Sequence, residues 1–249
     1  MKISIITSVC NRKGTIAGAI ESVLSQSYDN IEYIVIDCAS TDGTVAIIEK
    51  YADKITTFIS EPDDGIYEGL NKGVALATGD VIGFLHSDDL FEDEHVVAEI
   101  AEAFEKYGVD SVYGDIVYVS QVDVSKIVRY WKSGAYDRKK LELGWMPPHP
   151  TFYVKRGIYE VYGTFDTSFK IAADYDSILR FLGEGKITTH YIPKILVTMR
   201  IGGESNKSLK NILLKMKEDL RAIKKNHVGH IVSVLFKSIS KIPQFYRRK

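Results

Sequence analysis

The chain has 249 residues, of which 45% are hydrophobic, 26% charged and 11% aromatic, with a formal net charge of −1. Those values exclude a disordered or low-complexity chain, and the length allows one large domain, or a domain with a small appendage, whose core stands without disulfides or a structural metal. The small net charge hides a division: residues 207–249 hold twelve Lys and Arg against two acids (+10), whereas residues 1–206 hold twenty against thirty-one (−11). The body therefore lacks the basic face of a general nucleic-acid binder, and the tail invites a surface partner.

The opening MKISIITSVC runs straight into a strand pattern over 3–9, without the longer apolar stretch and cleavage site of a signal peptide. No apolar run approaches the roughly 18–20 residues of a membrane span. Cys10 and Cys38 form neither a metal-finger spacing nor a disulfide framework, so a reducing, cytoplasmic compartment is expected. Helical spacing of Ile16, Ala19, Ile20, Val23 and Leu24 predicts a helix over 15–25, followed by a strand over 31–36 and a helix over 44–51. A strand over 55–59, a helix over 67–77, a strand over 81–85 and a helix over 94–107 continue the alternation. Near-continuous apolar strands between helices predict a parallel sheet with both faces covered. From about residue 111 the pattern changes. Short β-prone runs at 111–113, 116–119 and 127–131 suggest an antiparallel or mixed extension. WMPPHP at 145–150 is a proline-stiffened loop. A strand over 151–154, a helix over 174–182, strands over 187–192 and 195–199, a long helix over 208–225 and a basic amphipathic tail over 229–249 complete the reading. The division is a domain over 1–206 and C-terminal helices over 207–249.

In parallel α/β sheets ligands sit outside the carboxyl ends of the strands, which singles out the polar residues found there. Asp37 ends the second strand and suits either a turn or a hydrogen bond to a base or ribose. Asp88 and Asp89 follow the strand over 81–85. They suit the start of the next helix, and equally a hard divalent cation, whose charge relieves the repulsion of adjacent carboxylates. Asp174 and Asp176 open a helix. Asp174 follows two small residues that leave room for a substrate, and a carboxylate there can take a proton from an attacking hydroxyl. His149 lies between two prolines. There is no dinucleotide loop, phosphate-binding Walker loop, zinc-protease motif or hydrolase elbow.

Seven segments, in order over residues 1–206, resemble glycosyltransferase family 2, the inverting nucleotide-sugar transferases of GT-A fold. They are SIITSVCN, IEYIVIDCASTDGT, SEPDDGIYEGLNKGVALATGD, FLHSDD, WMPPHPTFYVKR, AADYDSILRF and MRIGGESN. The branch they are most similar to builds bacterial surface polysaccharides. The resemblance implies a Rossmann-like, mixed but mainly parallel sheet flanked by helices. It implies that Asp37 contacts the nucleotide base, with Thr7, Val9 and Asn11 lining the same pocket. Asp63, Asn71 and Lys72 fall beside the donor, Asp88 and Asp89 bind ribose and the metal diphosphate, and Asp174 is the catalytic base. The sequence departs from the family pattern at His86, where Asp or Asn is common, at Cys38 and at Asp64.

The implied reaction is a single inverting displacement. A sugar moves from a nucleoside-diphosphate donor, UDP-sugar favoured, to a hydroxyl of a glycan or lipid-linked glycan, assisted by Mg²⁺ or Mn²⁺. His149 and Arg200 are candidate acceptor or phosphate contacts, and a loop near Gly202 and Gly203, flanked by Arg200 and Lys207, is placed to close over the phosphates. The family's QxxRW motif and membrane spans are absent, which implies one sugar per encounter. Ile231, Val232, Val234, Leu235, Ile239 and Ile242, with Lys237, Lys241, Arg247, Arg248 and Lys249, make a basic amphipathic segment. It suits the anionic inner face of a membrane, or equally packing on its own domain. The competing readings are a sugar nucleotidyltransferase and a nucleotide-sugar binding module without catalysis.

Overall fold

The computed structural model describes residues 1–202, 209–239 and 244. The calls on Gly203 and Lys207, and on Lys241, Ile242, Arg247, Arg248 and Lys249 of the tail, lie outside the described residues. In the first half β1 (Ile3–Val9), β2 (Ile31–Asp37), β3 (Thr57–Ser60) and β4 (Val81–Phe84) alternate with α1 (Ile16–Leu24), α2 (Thr44–Ile48) and α3 (Ile66–Leu76). β1 pairs in parallel with both β2 and β4, and β2 with β3. Every residue of β1 is buried, because helices cover both faces; this is why its sequence is mainly apolar and shows no strict alternation. Thr7 is one of its three buried polar residues, with Ser4 and Ser8. Its hydroxyl donates to the Leu85 carbonyl (2.8 Å) and lies 3.1 Å from the Tyr33 hydroxyl. α3 lies unusually close to β1, since a Cβ on Gly69 or Gly73 would fall 2.5 Å from Ser8 Oγ or 2.3 Å from Ile6 Cγ2.

The second half adds β5 (Leu90–Phe91), α4 (Val96–Tyr107), β6 (Ser111–Val119), β7 (Ile127–Trp131), α5 (Arg138–Glu142), β8 (Tyr153–Lys155), α6 (Arg156–Tyr162), α7 (Ala173–Ile178), β9 (Thr189–Arg200), α8 (Leu209–Lys225) and α9 (Ile231–Ile239). The sheet order is β3-β2-β1-β4-β8-β6-β9-β5, with β7 beside β6. β8 runs antiparallel to β4 and β6, while β6 and β9 are parallel. This is the mixed, helix-flanked sheet that the resemblance implies. Two expected breaks are bridged instead. Runs 111–113 and 116–119 form one strand, and the run at 187–192, from Thr189 on, joins 195–199 in another. Tyr113 pairs with Tyr191 and Asp115 with Ile195, so a bulge absorbs the extra residues around Pro193 where no ladder N–H is required. α5, α6 and β5 are too short to have left a periodic signal. The helix begun by α7 loosens into a wide turn over Leu179–Glu184.

The C-terminal helices are tied to the body. The Glu218 carboxylate accepts three successive backbone N–H groups, of Lys170, Ile171 and Ala172, at 2.9–3.0 Å. Buried Asp176 accepts from Asn226 (2.9 Å) and pairs with Arg180 and Lys225. Lys237 of α9 pairs with Asp219 of α8 at 2.7 Å, both side chains 6% exposed. Ala222, Ile223, Val228 and Val234 belong to the same hydrophobic cluster as Ile34, Ile82 and Phe152 of the sheet side. The segment braced in this way leads directly into Asp174.

Candidate active site

At the carboxyl ends of β1 and β2 two loops are stitched together. The Asn11 N–H donates to Ser40 Oγ (2.8 Å), the Thr41 N–H to Asn11 Oδ1 (2.9 Å) and the Arg12 N–H to Thr44 Oγ1 (2.8 Å). Asn11 holds a left-handed backbone (φ 52°) to make this turn, which asparagine tolerates. Cys10 and Cys38 form a disulfide between the same loops, with Cα atoms 5.1 Å apart. This corrects the expectation of two unpaired thiols. Spacing along the chain is a poor guide for cysteines brought together by parallel strands in register. Asp37 is fully buried in this wall. Its Oδ2 accepts from the Ser40 N–H (2.8 Å) and the Ser60 hydroxyl (2.7 Å), whereas Oδ1 has no partner among the described residues. A buried acceptor left open in this way is a place for a donated hydrogen bond from a ligand.

The other residues expected at the donor end are differently engaged. Val9 lies in the core beneath the loops, and Thr7 spends its hydroxyl between strands. Asp63 follows β3 and accepts from the Gly65 N–H (3.2 Å); burial, with Asp37 and Glu68 nearby, pushes its carboxyl up. Asn71 clasps the backbone of Phe165 with two hydrogen bonds (2.8 and 2.9 Å). Lys72 pairs with Glu61 (2.9 Å) and donates to the Pro62 carbonyl. The side chains of Asn71 and Lys72 thus tie α3 to the backbone at Phe165 and to the segment after β3.

Beyond β4, Asp88 is partly exposed and Asp89 fully buried. Asp89 Oδ1 accepts the Arg200 N–H at 3.3 Å and Oδ2 has no partner among the described residues. Burial first, and then Asp88, push the Asp89 carboxyl well above the usual carboxylate range. Among the described residues there is no cluster of three or more His, Cys, Asp or Glu that could hold a metal ion. The donor set is therefore the carboxylate pair. That set fits Mg²⁺ or Mn²⁺, which complete their shells with water and substrate phosphates and whose charge would offset the mutual repulsion of Asp88 and Asp89.

Asp174 lies in the first turn of α7 with its side chain 18% exposed. Its Oδ1 is 3.3 Å from the Tyr67 hydroxyl, which also donates to the Ile171 carbonyl (2.7 Å). Its Oδ2 is 3.2 Å from His149 Nδ1. Burial works to raise the Asp174 carboxyl, but His149, Lys237 and Lys215 outweigh it and hold the group below its usual value. Burial also lowers His149, to about 4. At neutral pH the imidazole is therefore uncharged and donates Nδ1–H to an ionised Asp174. Its Nε2 is 2.6 Å from Nε2 of His86, the residue two before Asp88. An unbroken side-chain chain, Asp174–His149–His86, thus joins the first turn of α7 to the acidic loop. Tyr67 and His86 are the functional candidates that sequence reasoning missed or left undecided. Tyr67 reaches Asp174 across 107 residues of chain, and no local pattern announces such a contact.

A cavity of 610 Å³ opens on this side, and Asp174, His149 and Arg200 are among its lining residues. Asp37, Asp88 and Asp89 lie outside its lining. They stand at the carboxyl ends of β2 and β4, and His86–His149 and the Arg200 N–H to Asp89 connect the acidic loop after β4 to residues that line the cavity.

Residues 4–165 match the family model described as Glycosyl transferase family 2. A PGL/p-HBAD biosynthesis glycosyltransferase of Mycobacterium bovis is 26% identical over 217 residues, covering 85% of this chain and 82% of that protein. An uncharacterised glycosyltransferase of Mycobacterium tuberculosis is 33% identical over 179 residues, covering 72% and 68%. Among solved structures, Staphylococcus aureus TarS 1–349 in complex with UDP-GlcNAc superposes with a TM-score of 0.69 at 17% identity, covering 96% of this chain and 71% of that one. A mannosyltransferase of Pyrobaculum calidifontis in complex with GDP-Man and Mn²⁺ superposes with a TM-score of 0.68 at 15% identity, covering 98% and 73%.

Proposed function

The chain belongs to glycosyltransferase family 2, and from that premise we propose that it moves a sugar from a nucleoside-diphosphate donor to a hydroxyl acceptor by a single inverting displacement, in the assembly of a cell-surface glycan. The observation that carries this reading is the half-buried, oriented Asp174 lining a cavity, linked through two histidines to the loop after β4 that carries the acidic pair. Asp37 Oδ1 accepts a hydrogen bond from the base, and UDP is favoured because the uracil edge offers a single N–H flanked by carbonyls. Asp174 takes the proton of the attacking hydroxyl. Tyr67 and His149 hold its two oxygens in place, and attack from the face opposite the leaving diphosphate inverts the anomeric centre. A divalent cation held by Asp88 and Asp89 would supply Lewis-acid stabilisation of the departing diphosphate. Relatives and structural neighbours support the donor class: TarS structures carry UDP and UDP-GlcNAc, and the Pyrobaculum enzyme carries GDP-Man with Mn²⁺.

A thermal-shift screen of nucleoside diphosphates and their sugars with Mn²⁺ tests the donor assignment, because a ligand that binds only the folded state raises its stability. One nucleotide, expected to be UDP, raises the melting temperature by several degrees, and its sugar releases free UDP slowly without acceptor. No shift with any nucleotide sugar contradicts the reading.

The proposed place of action is the cytoplasmic surface of a membrane. No helix among the described residues is long and apolar enough to cross one. α9 turns Ser233, Val234 and Lys237 inward and exposes Ile231, Val232, Leu235, Phe236 and Ile239 along one face. That face, beside a C-terminal segment of net charge +10, suits an anionic bilayer. Sedimentation with phosphatidylglycerol vesicles is expected to fall at least tenfold in Leu235→Glu/Phe236→Glu, since burying each side chain is worth about 2 kcal/mol. Equal sedimentation of variant and wild type contradicts membrane attachment. These exposed positions are better probes than truncation, which would remove Val234 from the core and the Lys237–Asp219 pair.

A further inference from the structure

Among the described residues, the lining of the cavity beside Asp174 has more basic than acidic side chains. Five are basic, Arg129, Lys132, Arg200, Lys215 and Lys237, and two are carboxylates, Asp174 and Asp219. Lys237 already neutralises Asp219. Lys215 is half-buried and makes no hydrogen bond or ion pair among the described residues, yet its charge is felt by Asp174, His149 and Lys237. Like Asp174 and His149, it lines the cavity. Lys132, just beyond β7, is likewise without an ion pair among the described residues. The Arg200 Nε is buried and has no partner there. Gathering like charges around one partly desolvated space is unfavourable unless an anion occupies it.

The donor diphosphate does not account for this charge. Its expected place is at Asp88 and Asp89, which lie outside the cavity's lining. Lys132 and Lys215 come from β7's exit and from α8, and line the cavity together with Asp174. The lining also includes Trp131 and Trp145. Trp145 is fixed by a hydrogen bond from its indole N–H to the Ser133 carbonyl (3.1 Å) and by the rings of Tyr113 and Tyr136. A fixed aromatic face is a platform for the C–H face of a sugar ring.

We propose that the acceptor is anionic: a sugar or polyol hydroxyl carried on a phosphate ester, with Lys132 and Lys215 contacting the phosphate while Trp145 supports the ring beneath Asp174. The inference rests on the glycosyl-transfer reading and names the substrate class of that site. The phosphate can belong to a lipid carrier or to a phosphodiester polymer; the shared chemistry is the phosphate one ring away from the attacked hydroxyl.

The protein's two tryptophans both line this cavity, so intrinsic fluorescence reports its occupancy directly. With the donor subsite filled by UDP and Mn²⁺, the full chain is titrated with octyl glucoside and with octyl glucosyl phosphate, which differ only in the phosphate. The phosphate compound is expected to bind at least about tenfold more tightly, as charge-assisted hydrogen bonds to one phosphate provide, and Lys132→Gln/Lys215→Gln is expected to remove that preference. A farnesyl phosphate-linked glucose and a short water-soluble polyol phosphodiester serve as further arms. Tighter binding of the first assigns a lipid carrier, of the second a polymer, and either supports the proposal. Equal affinity for the two octyl compounds, or a preference unchanged in the double variant, overturns it. Failure of the glycosyl-transfer reading shows separately, as the absence of any donor-induced thermal shift or donor hydrolysis.

Discussion

Asp174→Asn is expected to lower sugar transfer by about 10³-fold, within the range that general-base catalysis contributes, while donor affinity changes little. The substitution keeps the shape of the side chain and its contact with Tyr67. It removes the negative charge and the capacity to take up a proton, and it sets an amide against the His149 ring. The fold should survive, because Glu218 braces the preceding backbone independently of residue 174. The same geometry fixes the pH dependence. The active form of Asp174 is ionised, and its folded-state pKa lies below the ordinary value, so kcat/KM persists as pH falls until that lowered pKa is passed. His149→Gln removes one of the groups that oppose burial and is expected to move this acid limb to higher pH. Transfer by Asp174→Asn at near wild-type rate would remove the residue from the role of base.

The second large effect concerns the acidic pair. A chelator is expected to abolish transfer, with Mg²⁺ or Mn²⁺ restoring it. Asp88→Asn and Asp89→Asn are each expected to lower kcat/KM by about 10²–10³, the several kcal/mol that a metal ion contributes to charge stabilisation. Stability should move the other way for Asp89. Its carboxyl is fully buried, with one oxygen unpartnered and its pKa pushed up by burial and by Asp88. Asparagine retains an acceptor for the Arg200 N–H without the buried charge, so the melting temperature is expected to hold or rise. A variant as stable as wild type but inactive separates a role in binding from a role in folding. Full activity in chelator would contradict the metal role of both residues.

The first half of the fold was legible because burial on both faces leaves a local record: Ile3–Val9 and Ile31–Asp37 are dominated by Ile and Val without a regular alternation, and helical periodicities separate them. The second half was less so. β6 and β9 read as four short runs because Gly114 and Pro193 look like breaks, whereas together they make a bulge whose logic exists only once the strands are paired. Gly114 is required because a Cβ there would fall 2.5 Å from Leu196 Cγ. At the site, Asp37, Asp88, Asp89 and Asp174 were findable as carboxylates at strand ends and a helix start. What orients them was not. Tyr67 and His149 meet Asp174 from distant segments, and the Glu218 carboxylate that holds residues 170–172 sits in the long C-terminal helix, whose sequence gives no sign of which backbone it braces. The Cys10–Cys38 disulfide was invisible for the same reason: parallel register, not spacing, brings the pair together.

In the proposed reaction one donor spans Asp37, the Asp88–Asp89 pair and the cavity at Asp174. A crystal structure with a UDP-sugar and Mn²⁺ tests it most directly. The base edge is expected within hydrogen-bonding distance of Asp37 Oδ1, about 2.7–3.2 Å, with the diphosphate and ion at Asp88 and Asp89 and the anomeric carbon facing the side from which Asp174 delivers the acceptor. A donor bound away from Asp37, or one whose sugar points out of the Asp174 cavity, would contradict the account.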